Sequence, residues 1–188
     1  ISGNMSLVTV GTVAFDAIQT PFASSGKIVG GAASYIGLSA SQFAKEQHII
    51  SAIGDDFPQS FIAELESRGV NTEGLECRKG EKSFFWEGKY HMDMNYRETL
   101  TTDLNVLADF RPVVPESAKH SDYVMLGNLD PNVQASVLDQ MAKRPKLVVL
   151  DTMNFWMDIA LDPLKAVLQR IDVLTINDEE ARQLSGEY

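Results

Sequence analysis

Apolar residues fall into short runs that end at turn residues. Ser6 to Val10 (SLVTV) is β-branched and stops at Gly11, the pattern of a buried strand entering a turn. Gly30-Gly31 opens the segment AASYIGLSASQFA, where Ile36, Leu38, Ala40 and Phe43 suit a tightly packed helix. His48 to Ile53 (HIISAI) predicts a second strand, closed by Gly54-Asp55-Asp56. Phe61, Ile62, Leu65 and the stop at Gly69 predict a helix with Asp56 as its N-cap. Asp122 to Leu126, Leu147 to Leu150 and Asp172 to Ile176 predict three more strands, with helices at Val133–Ala142 and Leu164–Arg170 between them. Strands alternating with helices predict a parallel sheet covered on both faces.

One stretch departs from this rhythm. From Phe84 to Tyr96 the even positions read Phe84, Trp86, Gly88, Tyr90, Met92, Met94 and Tyr96. The odd positions are Phe85, Glu87, Lys89, His91, Asp93 and Asn95, so apolar and polar residues mostly alternate. Period two over this length predicts a hairpin turning near His91–Asn95, with one wet face. Such a ribbon is an excursion from the main sheet: a lid, a dimer surface, or a plain edge hairpin packed on the body.

Composition narrows the class. The chain is 188 residues long, 44% hydrophobic and 22% charged, enough to bury a sizeable core. Sixteen Lys and Arg against 26 Asp and Glu leave a net charge of −10, which disfavours nucleic acid as a partner. The lone cysteine, Cys77, excludes an internal disulfide and fits a reducing compartment. No apolar run reaches membrane-spanning length and no secretory pattern opens the chain, so the expectation is a cytoplasmic protein without a membrane partner. Residues 1–4, ahead of Met5, read as a cloning remnant, leaving a domain over residues 5–188.

Familiar phosphate and catalytic motifs are missing. Gly26-Lys27 is followed by Ile28, not Ser or Thr, and Gly11-Thr12-Val13-Ala14 is not a dinucleotide fingerprint. The histidines, His48, His91 and His120, are scattered, which disfavours a His-based triad or a structural metal. What remains is a set of polar residues at strand ends, the edge where open parallel sheets bind ligands. Asp16, in the turn region after the first strand, is either a local backbone acceptor or a carboxylate gripping ligand hydroxyls. Gly30-Gly31 allows close backbone approach to a ligand or makes a tight strand–helix turn. Asp151-Thr152-Met153-Asn154 is a capped turn beside Phe155-Trp156 or a pair of site residues. Asn177-Asp178-Glu179-Glu180 reads as a capping box, or as Asn177 and Glu180 organising hydrated magnesium beside phosphates.

Taken in order, VTVGTVAFD with Asp16, GGAASYIGLSAS, AIGDDF with Gly54 and Asp56, Gly69-Val70, the ribbon, DTMNFW and NDEEARQLSG resemble the pfkB carbohydrate kinases, also called the ribokinase-like family. The resemblance runs from Leu7 to Gly186. It implies a three-layer α/β/α sandwich with a mostly parallel sheet and a small β-ribbon lid inserted around residues 82–102. It implies ATP with Mg2+ as cofactors, and phosphorylation of a hydroxyl on a small sugar or nucleoside. Asp16 would hold substrate hydroxyls, Gly30 and Gly31 would line that pocket, and Asn177 with Glu180 would support magnesium and phosphates. Asp151 and Asn154 would lie between the two sites. Lid ribbons of this family pair between subunits, which leaves room for a homodimer through the lid.

Two departures stand out. Where many members carry a polar residue, often Asn, that contacts the sugar, this chain has Tyr35, which either stacks on a ring or fills the pocket. The family's general base is an Asp in a G-A-G-D segment, and the sequence contains none. The expectation is therefore a kinase of this type lacking its C-terminal catalytic part, with these 188 residues inactive alone. The alternatives are a non-catalytic sugar- or nucleoside-binding protein of the same fold and, less favoured, an oxidoreductase with an unusual nucleotide fingerprint.

Overall fold

The computed structural model describes residues 5–94 and 96–187. Residues 1–4, read above as a remnant, lie outside these, as does Asn95 of the expected turn.

Six strands form the main sheet: β1 (Ser6–Val10), β4 (Glu46–Gly54), β5 (Val70–Arg78), β8 (Tyr123–Leu126), β9 (Leu147–Asp151) and β10 (Val173–Thr175). Their order is β10-β9-β8-β1-β4-β5, and every pairing is parallel. Alternating side chains of the central strands enter two different cores. Val8, Val10, Ile50 and Ala52 join one cluster with Val133 and Val137 of α3 (Pro131–Gln140) and Leu164 and Val167 of α5 (Leu161–Leu168). Ile49 and Ile53 join the other, with Ala33 of α1 (Ala32–Ala40) and Leu65 of α2 (Gln59–Ser67). Two cores on two faces make the three layers that a parallel sheet needs to escape water.

A second sheet stands apart. β2 (Ala14–Gln19), β3 (Ser24–Gly30), β6 (Phe85–Tyr90) and β7 (Arg97–Asp103) assemble in the order β3-β2-β6-β7. The expected hairpin supplies only the β6–β7 half of this four-stranded sheet, called the lid for the ribbon it contains. One face of its root packs on the body, where Phe15 and Phe85 meet the α1–α2 core and the Phe15 and Phe57 rings lie 5.2 Å apart.

Several expectations require correction. Asp16 is not in a turn; it sits within β2, whose short apolar content concealed a strand. Asp56 does not cap α2, since Pro58 occupies the N-cap. Its carboxylate instead accepts from the amide (2.8 Å) and hydroxyl (2.7 Å) of Ser83, where the chain enters the lid. Phe43 lies beyond the end of α1 and is exposed. That helix buries Ala33, Ser34 and Gly37, small residues that let it approach Ile49 closely. The strand β5 and the helix α4 (Asn154–Ile159) are additional elements.

Candidate functional site

The strand order reverses at β1, which lies between β8 and β4. In open α/β sheets such a switch point opens a crevice beyond the strand C-termini. Here the crevice is a cleft of about 600 Å3 between that edge and the inner face of the lid. The body contributes Thr12 after β1, Asn128 after β8, Asp151 at the end of β9, Thr175 at the end of β10, and Asn177 and Glu180 beyond it. The lid contributes Asp16, Trp86, Tyr90 and Arg97, and Gly31 and Tyr35 close the side.

The floor is assembled from hydrogen bonds that the sequence alone could not place. Thr12 takes over the capping of α1: its hydroxyl accepts from the amide of Ala32 (2.9 Å) and its carbonyl from that of Ala33 (2.9 Å). Gly31 has φ 97°, and a Cβ there would fall onto the Thr12 carbonyl, so only glycine fits this strand-to-helix turn. The buried amide of Gln134 on α3 donates to the carbonyls of Gly127 (2.9 Å) and Asp151 (3.1 Å). One side chain thereby fixes the ends of β8 and β9 relative to each other. Asn128 accepts from the Trp156 indole (2.9 Å) and donates to the Met153 sulfur (3.0 Å).

Carboxylates occupy both halves of the cleft. Burial pushes the Asp16 carboxyl above its ordinary pKa, although the Gly31 amide donates to it and works in the opposite direction. A Cβ on Gly30 would strike this carboxylate, so Gly30 supports the site from beside the cleft without lining it. Asp151 is pushed up to about 6, first by burial and then by the charge of Glu180. Two carboxylates held this way favour a proton or a cation between them.

Asn177 and Glu180 do form the capping box of α6 (Asp178–Ser185). Asn177 Oδ1 accepts from the Glu180 amide (2.8 Å), and Glu180 Oε2 accepts from the Asn177 amide (3.0 Å). Both residues also line the cleft, so the box holds them at its edge. Asn154 behaves differently. Its side chain donates to Gln183 Oε1 (2.7 Å), joining α4 to α6 away from the cleft lining. Tyr35 lines the cleft and is 57% exposed, with its hydroxyl 3.4 Å from the Val29 carbonyl.

Sequence reasoning passed over Asn128, Arg97 and Gln134. Asn128 was within reach, because it follows a strand end just as Asn177 does. Arg97 lies one residue past the Phe84–Tyr96 alternation, though inside the 82–102 insert that the resemblance implies, and the pairing of β7 with β6 sets it opposite Tyr90.

Comparisons with known proteins bear on the fold and the family. A cytidine kinase of Thermococcus kodakarensis is 22% identical over 190 residues, covering 97% of this chain and 65% of the relative. The chain therefore spans less than two thirds of that relative's length. Among solved structures, a nucleoside kinase of Burkholderia thailandensis in complex with inosine superposes with a TM-score of 0.77 at 14% identity, over 97% of this chain and 64% of the other. A Methanocaldococcus jannaschii nucleoside kinase, an archaeal member of the ribokinase family, gives 0.74 at 18% identity, over 98% and 65%. These identities establish a shared fold. The family model for pfkB carbohydrate kinases matches residues 6–188, nearly the whole chain, and the protein belongs to that family.

Proposed function

We propose that the protein to which this chain belongs transfers the γ-phosphoryl group of ATP to a hydroxyl of a small sugar or nucleoside, and that these residues form its substrate and lid half. The observation that carries this reading is the single cleft joining Asp16 on the lid to the Asp151–Glu180 pair on the sheet edge. A buried carboxylate suits neutral hydroxyl donors, whereas paired carboxylates suit a cation that accompanies phosphate. Asp16 holds the acceptor, with Gly30, Gly31 and Tyr35 shaping its side of the pocket. Asn154 contributes by bracing α4 against α6, which positions the box residues.

Magnesium fits the donors present, since Asp151 and Glu180 supply hard oxygen ligands. Among the described residues no group of three or more His, Cys, Asp and Glu could hold a metal ion, so an ion at this edge would keep water and phosphate ligands. Bound there, it would neutralise charge on the transferring phosphate. The lid would close over the acceptor and exclude water, limiting loss of ATP to hydrolysis. A homodimer through the lid is consistent with the outer edges of β3 and β7, which pair with no further strand among the described residues. A cytoplasmic setting is consistent with the free thiol of Cys77.

Coupled ADP-release assays test the reading. The 188 residues are expected to bind acceptor without turnover, because the sequence contains no G-A-G-D segment to supply a base and an anion hole. The same chain carrying such a segment is expected to phosphorylate. Calorimetry showing acceptor binding by both forms, with no ADP release by the longer one, would favour the non-catalytic binding protein.

A further inference from the structure

The inner face of the lid has a feature that hydroxyl recognition alone does not require. A Cβ at Gly88 would fall inside the Trp86 ring, so the indole lies down over Gly88 along the sheet and does not project from it. Trp86 Nε1 donates to Thr99 Oγ1 on β7 (3.3 Å), and the Arg97 guanidinium lies over the indole in a cation–π contact, 5.3 Å from the ring centroid. A tryptophan followed two residues later by glycine on one strand face thus makes a flat plate fixed at its edge. Asp16 is the register partner of Trp86 on the neighbouring strand, so the hydroxyl-binding carboxylate and the plate lie side by side, about 4.8 Å apart in strand spacing.

Charge adds a second constraint. The protein is strongly acidic, yet among the described residues Arg97 forms no ion pair, and it lines the cleft. A guanidinium held at the indole by a cation–π contact and by no ion pair keeps N–H donors along its edge for a ligand in the cleft. A ligand satisfying all three groups carries hydroxyls at one end, a planar π-system at the other, and hydrogen-bond acceptors on the edge of that plane. A sugar alone satisfies the first of these.

We propose that the acceptor is a nucleoside: its ribose is held by Asp16, its base stacks on Trp86, and Arg97 donates to a carbonyl or ring nitrogen of the base. This rests on the phosphotransfer reading above and assigns the acceptor class within it. Gly88 serves as a specificity determinant through the space it leaves for the indole.

Isothermal titration of the 188-residue chain with cytidine, inosine, ribose and fructose tests the assignment. Both nucleosides are expected to bind at least about tenfold more tightly than ribose. Loss of one base–aromatic stack weakens binding about 5- to 150-fold, so Trp86→Ala should weaken the nucleosides by that factor and leave ribose unchanged. Trp86→Phe should restore most of the loss. Gly88→Val tilts the indole without removing it and should reproduce the Trp86→Ala phenotype in a protein with unchanged circular dichroism. Arg97→Met should weaken nucleosides only. Ribose or fructose binding as tightly as the nucleosides would overturn the nucleoside assignment and leave the phosphotransfer reading intact, as would nucleoside binding indifferent to Trp86. Binding of none of the four would remove both.

Discussion

The body and the lid are built from strands of similar length but held by different forces. The body sheet is covered on both faces, and its central strands contain side chains with no exposed surface, among them Val8, Ile50, Leu126 and Leu150. The lid buries one face only at its root. Beyond that it relies on polar ties: Gln19 to Glu87 across the strands (2.8 Å), and Asp56 to Ser83 at the hinge. Lys27 of the lid adds to the hinge, lying 3.7 Å from Asp56 and 4.0 Å from the Phe15 ring centroid. A scaffold secured by burial resists deformation, whereas a flap secured by a few directional bonds can move without unfolding.

Substitutions in the two regions should therefore differ in size and in kind. Leu150→Ala, at a fully buried position, should cost about 2–5 kcal/mol in urea denaturation. Its lid counterpart Leu100→Ala, at a position 43% exposed, should stay within about 0.5 kcal/mol. Equal losses would erase the distinction between the regions. Asp56→Ala deprives two Ser83 donors of their acceptor, at a cost of about 1–3 kcal/mol. Burial opposes ionisation of Asp56, but the Ser83 hydrogen bonds and Lys27 prevail and keep its carboxyl below the ordinary pKa. Amide exchange in Asp56→Ala should accelerate across Phe85–Tyr90 while β1 and β4 keep their protection. Acceleration spread evenly over both sheets would mean that Asp56 is no hinge.

Smaller effects probe the cleft edge. Asn177→Ala removes half of the capping box and should cost about 1 kcal/mol, read as a lower melting temperature. Asp151 gives a pH signature. Its folded value of about 6 exceeds the ordinary value of about 3.9, so between them the folded state binds more protons than the unfolded chain. Stability should then fall as pH rises from about 4 to about 6 and level off above that, a slope that Asp151→Asn removes. Melting curves of the two proteins across this range decide the point; a slope surviving in Asp151→Asn belongs to another group.

The same contrast explains what could be read from the chain. β1, β4, β8 and β9 announce themselves because buried parallel strands are continuous apolar runs. β5 (VNTEGLECR) does not, because an edge strand paired on one side carries polar residues along most of its length. β3 (SSGKIVG) is mostly exposed, and β2 places Asp16 in its middle, so neither has a hydrophobic run to betray it. Of the site, Asp16, Asp151, Asn177 and Glu180 are legible as polar residues near strand ends, Gly31 as a turn before a helix, and Tyr35 only through the family resemblance; all of them line one cleft. Asn154 has the same local signature, but a tertiary partner, Gln183, directs its side chain elsewhere. The Asp56 pattern fitted a helix cap equally well, and only the return of the chain at Ser83 decides between cap and hinge.

Gln134 carries a consequence for how freely the cleft floor can vary. Its amide answers the carbonyls of two strands from a third element, with none of its surface exposed to solvent. Glutamate at this position would turn an oxygen toward oxygens, and methionine or leucine would abandon buried acceptors, so neither charge nor shape substitutes for the donor. A library randomised at position 134 and selected for a folded cleft should return glutamine almost alone, whereas one at position 100 on the lid should return a broad alphabet.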